Sequence, residues 1–154
     1  VTNRRKLTGT LADALVGADV FIGVSAANCV TKDMVRFMAD KPILFTLANP
    51  VPEISVADAK EAGAFIHGTG SSEFPNQINN VLVFPGLFRG ALDVRAKTIN
   101  FEMMMAASRG IAACVSADEL SRDYILPYAY DKRAHEAVAQ AVAEEAVKTG
   151  VVKK

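Results

Sequence analysis

Three short apolar runs recur along the first half of the chain, DVFIGVS (19–25), PILFTLA (42–48) and AFIHG (64–68), with a helical stretch between each pair. Nothing else in the sequence constrains the fold so strongly. The runs are nearly continuous rather than alternating, as in strands buried on both faces of a parallel sheet. A parallel pair needs a crossover, and the intervening stretches suit helices. Residues 9–18 place Leu11, Leu15 and Val16 on one helical face. Residues 31–40 start at a Thr31 cap with Met34, Phe37 and Met38 facing inward. Residues 55–63 have Ser55 as cap, Asp58 three positions on and Gly63 as stop. The pattern predicts βαβ units with right-handed crossovers: an α/β, Rossmann-like, doubly wound parallel sheet, present in part.

From Asn79 onward the pattern is helical, with breaks expected at Pro85–Gly86, Gly110 and Pro127. A helix capped by Asn100 is expected over 100–115. A last helix is expected over 131–150, with Ala134, Val138 and Val142 at four-residue spacing and Gly150 as its left-handed stop. With no repeat, low-complexity tract or linker, the sheet and these C-terminal helices are expected to form one packed unit.

Composition enters as a filter on function. Half of the 154 residues are apolar (51%), and 17 basic residues balance 17 acidic ones. No basic stripe offers an electrostatic footprint, so neither nucleic acid nor an anionic membrane is expected as a partner. No apolar run approaches the ~18 residues of a membrane span. Cys29 and Cys114 lack partners at metal-ligand spacing. They fit small core residues in a reducing, cytoplasmic setting rather than catalytic thiols.

Each strand runs into a polar or glycine-rich corner: SAAN (25–28), ANP (48–50) and GTGSS (68–72). In a parallel sheet these corners share one edge, where open α/β sheets bind their ligands. Asn49 precedes Pro50, which favours extended backbone and projects the carboxamide from a strand tip. It could hold a polar ligand through its donors and acceptor, or simply close the strand as an Asx-turn. In EFPNQINNVLVFPG (73–86), Asn79 and Asn80 stand where a helix should begin, a place that attracts carboxylate or phosphate. Capping explains one asparagine but not two. Asn76 and Gln77 are read as shaping the loop around Pro75. Blander readings suit other candidates: Met103–Met105 as core, His67 as a satisfied structural histidine, His135 as solvated, and Arg89–Asp93 as an i,i+4 pair. No G-x-G-x-x-G after a strand, P-loop or metal-spaced carboxylate cluster is present. The residues offer binding chemistry without evident catalytic machinery.

Together GADVFIGVSA (17–26), LANPVPEI (47–54) and FPNQINNVLVFPGLFRGALDVRA (74–96) closely resemble the cofactor-binding domain of bacterial-type malic enzymes. The resemblance implies NAD or NADP as cofactor, oxidation and decarboxylation of malate to pyruvate and CO2, and Mg2+ or Mn2+ with ligands outside this chain. By position it carries Ser25 and Ala26 over to the lining of the dinucleotide site. Asn49 and Asn80 fall at the nicotinamide end, and Asn49, Asn79 and Asn80 at the substrate carboxylates. Two corners depart from the family pattern: Ala27–Asn28–Cys29 stands for the usual SAPG continuation, and Thr69–Gly70–Ser71–Ser72–Glu73 for TGRSD, without its arginine. The family's tyrosine acid, lysine base, metal carboxylates and glycine-rich loop lie upstream of this region, and no residue here is expected to be catalytic. Residues 1–154 are therefore expected to be the C-terminal portion of the NAD(P)-binding domain, with the N-terminal catalytic domain absent and the chain inactive alone. The complete enzyme is expected to be a homodimer or larger. The alternatives are a non-catalytic nucleotide-binding fragment, or another Rossmann-like dehydrogenase of the amino-acid type, which would share the fold but not the FPNQINN block.

Overall fold

The computed structural model describes residues 3–4 and 6–153. Its elements run α1 (Leu11–Leu15), β1 (Val20–Gly23), α2 (Lys32–Arg36), β2 (Ile43–Thr46), α3 (Val56–Glu61), β3 (Ile66–Thr69), a 3-10 turn (Asn80–Leu82), α4 (Gly86–Asp93), α5 (Phe101–Ala112) and α6 (Lys132–Lys148). The chain divides into two compact units, Val1–Pro75 and Asn76–Lys154, which corrects the expectation of one packed body. The cause is two separate apolar sets. Leu15, Val30, Val35, Leu44, Ile54 and Ala59 close on one another in the first unit, and Leu87, Met103, Val138 and Val142 do so in the second.

In the first unit the three strands form one open parallel sheet in the order β1-β2-β3, with Val20, Ile43 and Ile66 in register at its start and Gly23, Thr46 and Thr69 at its end. The connecting helices begin at the caps read from sequence. Thr31 Oγ1 accepts from Met34 N–H (3.3 Å) and Ser55 Oγ from Asp58 N–H (3.0 Å). The inward faces are narrower than expected, because α1 and α2 are barely one turn long. Leu15 is buried, but Leu11 is exposed and Val16, already outside the helix as its C-cap, is 65% exposed. Phe37 likewise closes α2 as its C-cap and turns out to solvent, while Met38 is buried and Met34 packs beside the core.

In the second unit α6 packs against both α4 and α5. Its Ala134, Val138 and Val142 are fully buried, the stripe predicted by their spacing, and Ala146 extends it by one more turn. Small residues bring the helices close. A Cβ on Gly86 would lie 2.6 Å from the His135 carbonyl oxygen, and one on Gly90 would lie 2.2 Å from that of Ala139. Gly110, expected to break a helix, sits inside α5, where a Cβ would lie 3.1 Å from the Ala137 carbonyl oxygen. Its lack of a side chain serves helix contact, not chain reversal. Of the methionine run only Met103 is core; Met104 and Met105 are exposed, because α5 turns Met103, Ala106 and Ala107 inward.

Candidate functional site at the strand ends

Parallel registry puts the carboxyl ends of β1, β2 and β3 side by side, so the loops after them share an edge of the first unit. Ser25, Ala26 and Asn49 are all exposed on these loops. Asn49 stands three residues beyond the end of β2, and its bond to Pro50 is cis. Its carboxamide forms no Asx-turn bond among the described residues, so strand closure does not account for it.

The loops after β1 and β2 are stitched together by a residue that sequence reasoning passed over. Glu53 is fully buried. Its Oε1 accepts from the Ser25 N–H (3.1 Å) and its Oε2 from the Ala48 N–H (3.1 Å). Its own carbonyl accepts from Val30 N–H (3.0 Å), and the neighbouring Pro52 carbonyl accepts from Asn28 N–H (3.0 Å). Asn28 takes a left-handed φ of 56°, which asparagine tolerates better than most residues; this is the local geometry of the Ala27–Asn28–Cys29 departure. A Cβ on Gly23 would lie 2.5 Å from the Glu53 carboxylate, so the glycine ending β1 leaves room for it. The available signals were a lone acid inside the apolar PVPEI segment and a glycine ending an otherwise apolar strand.

Behind the edge, His67 on β3 is buried, and its Nε2 pairs with Thr46 Oγ1 of β2 at 2.9 Å. Burial, reinforced by the charge of Lys60, lowers its pKa to about 4. It is therefore neutral near pH 7, the satisfied structural histidine expected.

The second unit holds the asparagine block. Asn76 is buried; its Nδ2 donates to the Arg122 carbonyl (2.8 Å) and its Oδ1 accepts from Ile125 N–H (3.0 Å). It anchors a distant loop, a longer reach than shaping the turn at Pro75. Asn79 is half-buried and caps a 3-10 turn of only three residues, its Oδ1 accepting from Val81 N–H at 3.1 Å. The α-helix expected to begin here starts instead at Gly86. Pro85 has no N–H with which to continue a ladder, so the dipole expected behind Asn79 and Asn80 is only that of a single short turn. Asn80 is exposed. His135, expected to be solvated, is half-buried with Nε2 3.2 Å from the Val81 carbonyl oxygen. Arg89 and Asp93 form the expected i,i+4 pair at 2.7 Å.

Cys114 donates to the Gly110 carbonyl (3.3 Å), and burial raises its pKa, which disfavours the reactive thiolate. Among the described residues no three His, Cys, Asp or Glu side chains gather as a metal site. No helix among them is long and apolar enough to cross a membrane.

This geometry has close counterparts. The family model described as "Malic enzyme, NAD binding domain" matches residues 5–147. A bifunctional malic/malolactic enzyme of Bacillus subtilis is 59% identical over 152 residues, covering 99% of this chain and 37% of that protein. An NAD-dependent malic enzyme of Geobacillus stearothermophilus is 50% identical across 100% of this chain and 32% of its own length. Among solved structures, a malic enzyme from Pyrococcus horikoshii superposes with a TM-score of 0.92 at 45% identity, over 99% of this chain and 35% of that one. The chain thus spans about a third of the length of these relatives.

Proposed function

The chain belongs to the family of malic enzyme NAD-binding domains, and on that premise we propose that it is the C-terminal portion of the NAD(P)-binding domain of an enzyme that oxidises malate and decarboxylates the product to pyruvate and CO2. The observation that carries this reading is the strand-end edge of the first unit, where Ser25, Ala26 and an Asn49 carboxamide that closes no turn are exposed together.

A dinucleotide fits such an edge, since exposed loop backbone and neutral carboxamides suit its phosphates, ribose and nicotinamide amide. When bound, NAD or NADP supplies the acceptor for the hydride that leaves malate C2. The residues of this chain bind and orient. Ser25 and Ala26 line the dinucleotide, and Asn49 holds its nicotinamide end. Asn49 also donates to a substrate carboxylate. In the helical unit, taken by itself, Asn80 is assigned to the nicotinamide end, and Asn79 and Asn80 are assigned as carboxylate donors. Neutral donors suit that task, because a cation there would compete with the metal for the acid. Mg2+ or Mn2+, as the resemblance implies, takes its ligands from outside this chain. The acid and base that move protons also lie outside it, in a cytoplasmic homodimer or larger assembly. By itself the chain is a half-site without turnover.

Asn49→Ala in the complete enzyme separates this reading from a purely structural one. Because Asn49 is exposed and uncommitted to the fold, kcat/KM should fall at least about tenfold, the value of one lost hydrogen bond, with no change in melting temperature. Unchanged kinetics would remove Asn49 from the site. Turnover of malate by the 154-residue chain supplied with NADP+ and Mn2+ would refute the half-site description.

A further inference from the structure

We propose that Glu53 is a positioning residue for the cofactor site: its carboxylate, wedged between the ends of β1 and β2, sets the spacing of the two corners that carry Ser25 and Asn49. The inference rests on the proposed role of those corners and adds the group that holds them.

The parallel ladder continues past the strands as far as the Leu47 N–H, which donates to the Gly23 carbonyl (2.9 Å). The next rung of an evenly spaced parallel ladder would take the Ser25 N–H to the Leu47 carbonyl. Instead the Ser25 N–H donates to Glu53 Oε1, while the Ala48 N–H donates to Oε2 of the same group. One planar carboxylate thereby takes a donor from each strand end and ends the pairing there. Ligands of open α/β sheets enter where strands part at their carboxyl ends. Four features fit the wedge reading together. Both oxygens are used, the residue is fully buried, its own carbonyl is pinned by Val30, and Gly23 lacks the side chain that would displace it. Two backbone donors require two acceptors. A glutamine of the same shape would turn an NH2 toward one of the N–H groups, which no rotamer can satisfy.

Glu53→Gln and Glu53→Asp are to be made in the complete enzyme, with Asn49→Ala to test the underlying site and Thr46→Val as a stability control. Thr46→Val removes the buried bond from β2 to His67 on β3. Each protein is measured for KM of cofactor, KM of malate and melting temperature. Glu53→Gln should raise the cofactor KM roughly tenfold, the scale of one buried hydrogen bond left unmade, with malate KM within about twofold of wild type. Glu53→Asp keeps two acceptors one carbon shorter. It should give a smaller shift of the same kind, and decides the matter if the glutamine protein does not fold. Thr46→Val should lower the melting temperature and leave the cofactor KM alone. Glu53 variants that melt earlier like the control, with both KM values unchanged, overturn the positioning role while Asn49→Ala still weakens cofactor binding. If Asn49→Ala leaves cofactor KM and kcat/KM unchanged, the site itself is misassigned and the wedge falls with it.

Discussion

The two units use the same kinds of residue for opposite ends. In the sheet unit, a glycine makes room for a buried carboxylate that holds two exposed loops apart. In the helical unit, glycines remove side chains so that backbones touch: Gly86 and Gly90 approach α6, and Gly110 does so from α5. Buried polar groups follow the same division. Glu53 lies at the strand-end edge and the Thr46–His67 pair behind it joins β2 to β3, whereas buried Asn76 and half-buried Asn100 fasten one part of the helical unit to another. In the sheet unit a buried carboxylate thus serves the presentation of loops, and in the helical unit the three glycines, Asn76 and Asn100 serve packing. Loops held by a rigid scaffold are where binding residues gather.

The sharpest way to break this contrast is Gly90→Ala. A methyl group 2.2 Å from the Ala139 carbonyl oxygen must push α4 from α6, so the variant should lose about 3 kcal/mol of stability, read by urea unfolding of the helical unit. A variant as stable as wild type would mean that the close approach is incidental. A smaller effect is expected from pH at His67. Its folded pKa of about 4 lies below the ordinary 6.5, so only the unfolded chain gains a proton between those values. The contribution is therefore complete above about pH 6.5 and is lost as pH falls toward 4, amounting to roughly 2–3 kcal/mol. His67→Gln should flatten that part of the melting-temperature profile, and a profile that keeps its slope would trace the effect to another group. The smallest is Asn100→Ala, which deletes the cap on α5 and the 2.9 Å bond from Asn100 Nδ2 to Thr149 Oγ1 at the end of α6. It should cost about 1–2 kcal/mol in thermal unfolding and leave cofactor binding unaltered. Altered cofactor affinity there would blur the division of labour between the units.

Much of the fold was legible because its cues are local. Thr31, Ser55 and Asn100 cap helices from their own first turns. The apolar runs became strands because each lies between turn-forming residues, and Ala134, Val138 and Val142 share a face at any helix of 3.6 residues per turn. The strand-end edge followed from parallel order alone. Less legible was how far each local pattern extends. Val16 and Phe37 continue a helical period in the sequence, but one-turn helices end before those positions can be buried.

Local chemistry, then, decides the caps and the apolar runs that become strands, since neighbours in the chain supply those cues, and the parallel order of the runs sets the edge on which Ser25, Ala26 and Asn49 stand. Contacts between residues far apart in the chain decide the rest. Glu53 became a clamp only when the ends of two strands brought the Ser25 and Ala48 N–H groups to its oxygens. Gly110 became a contact point, and not a break, only when α6 arrived beside it. The chain also closes two apolar cores where composition allowed one. Burial of a charge, close approach of backbones and division into units depend on which distant atoms meet, and periodicity along a chain carries no term for that meeting.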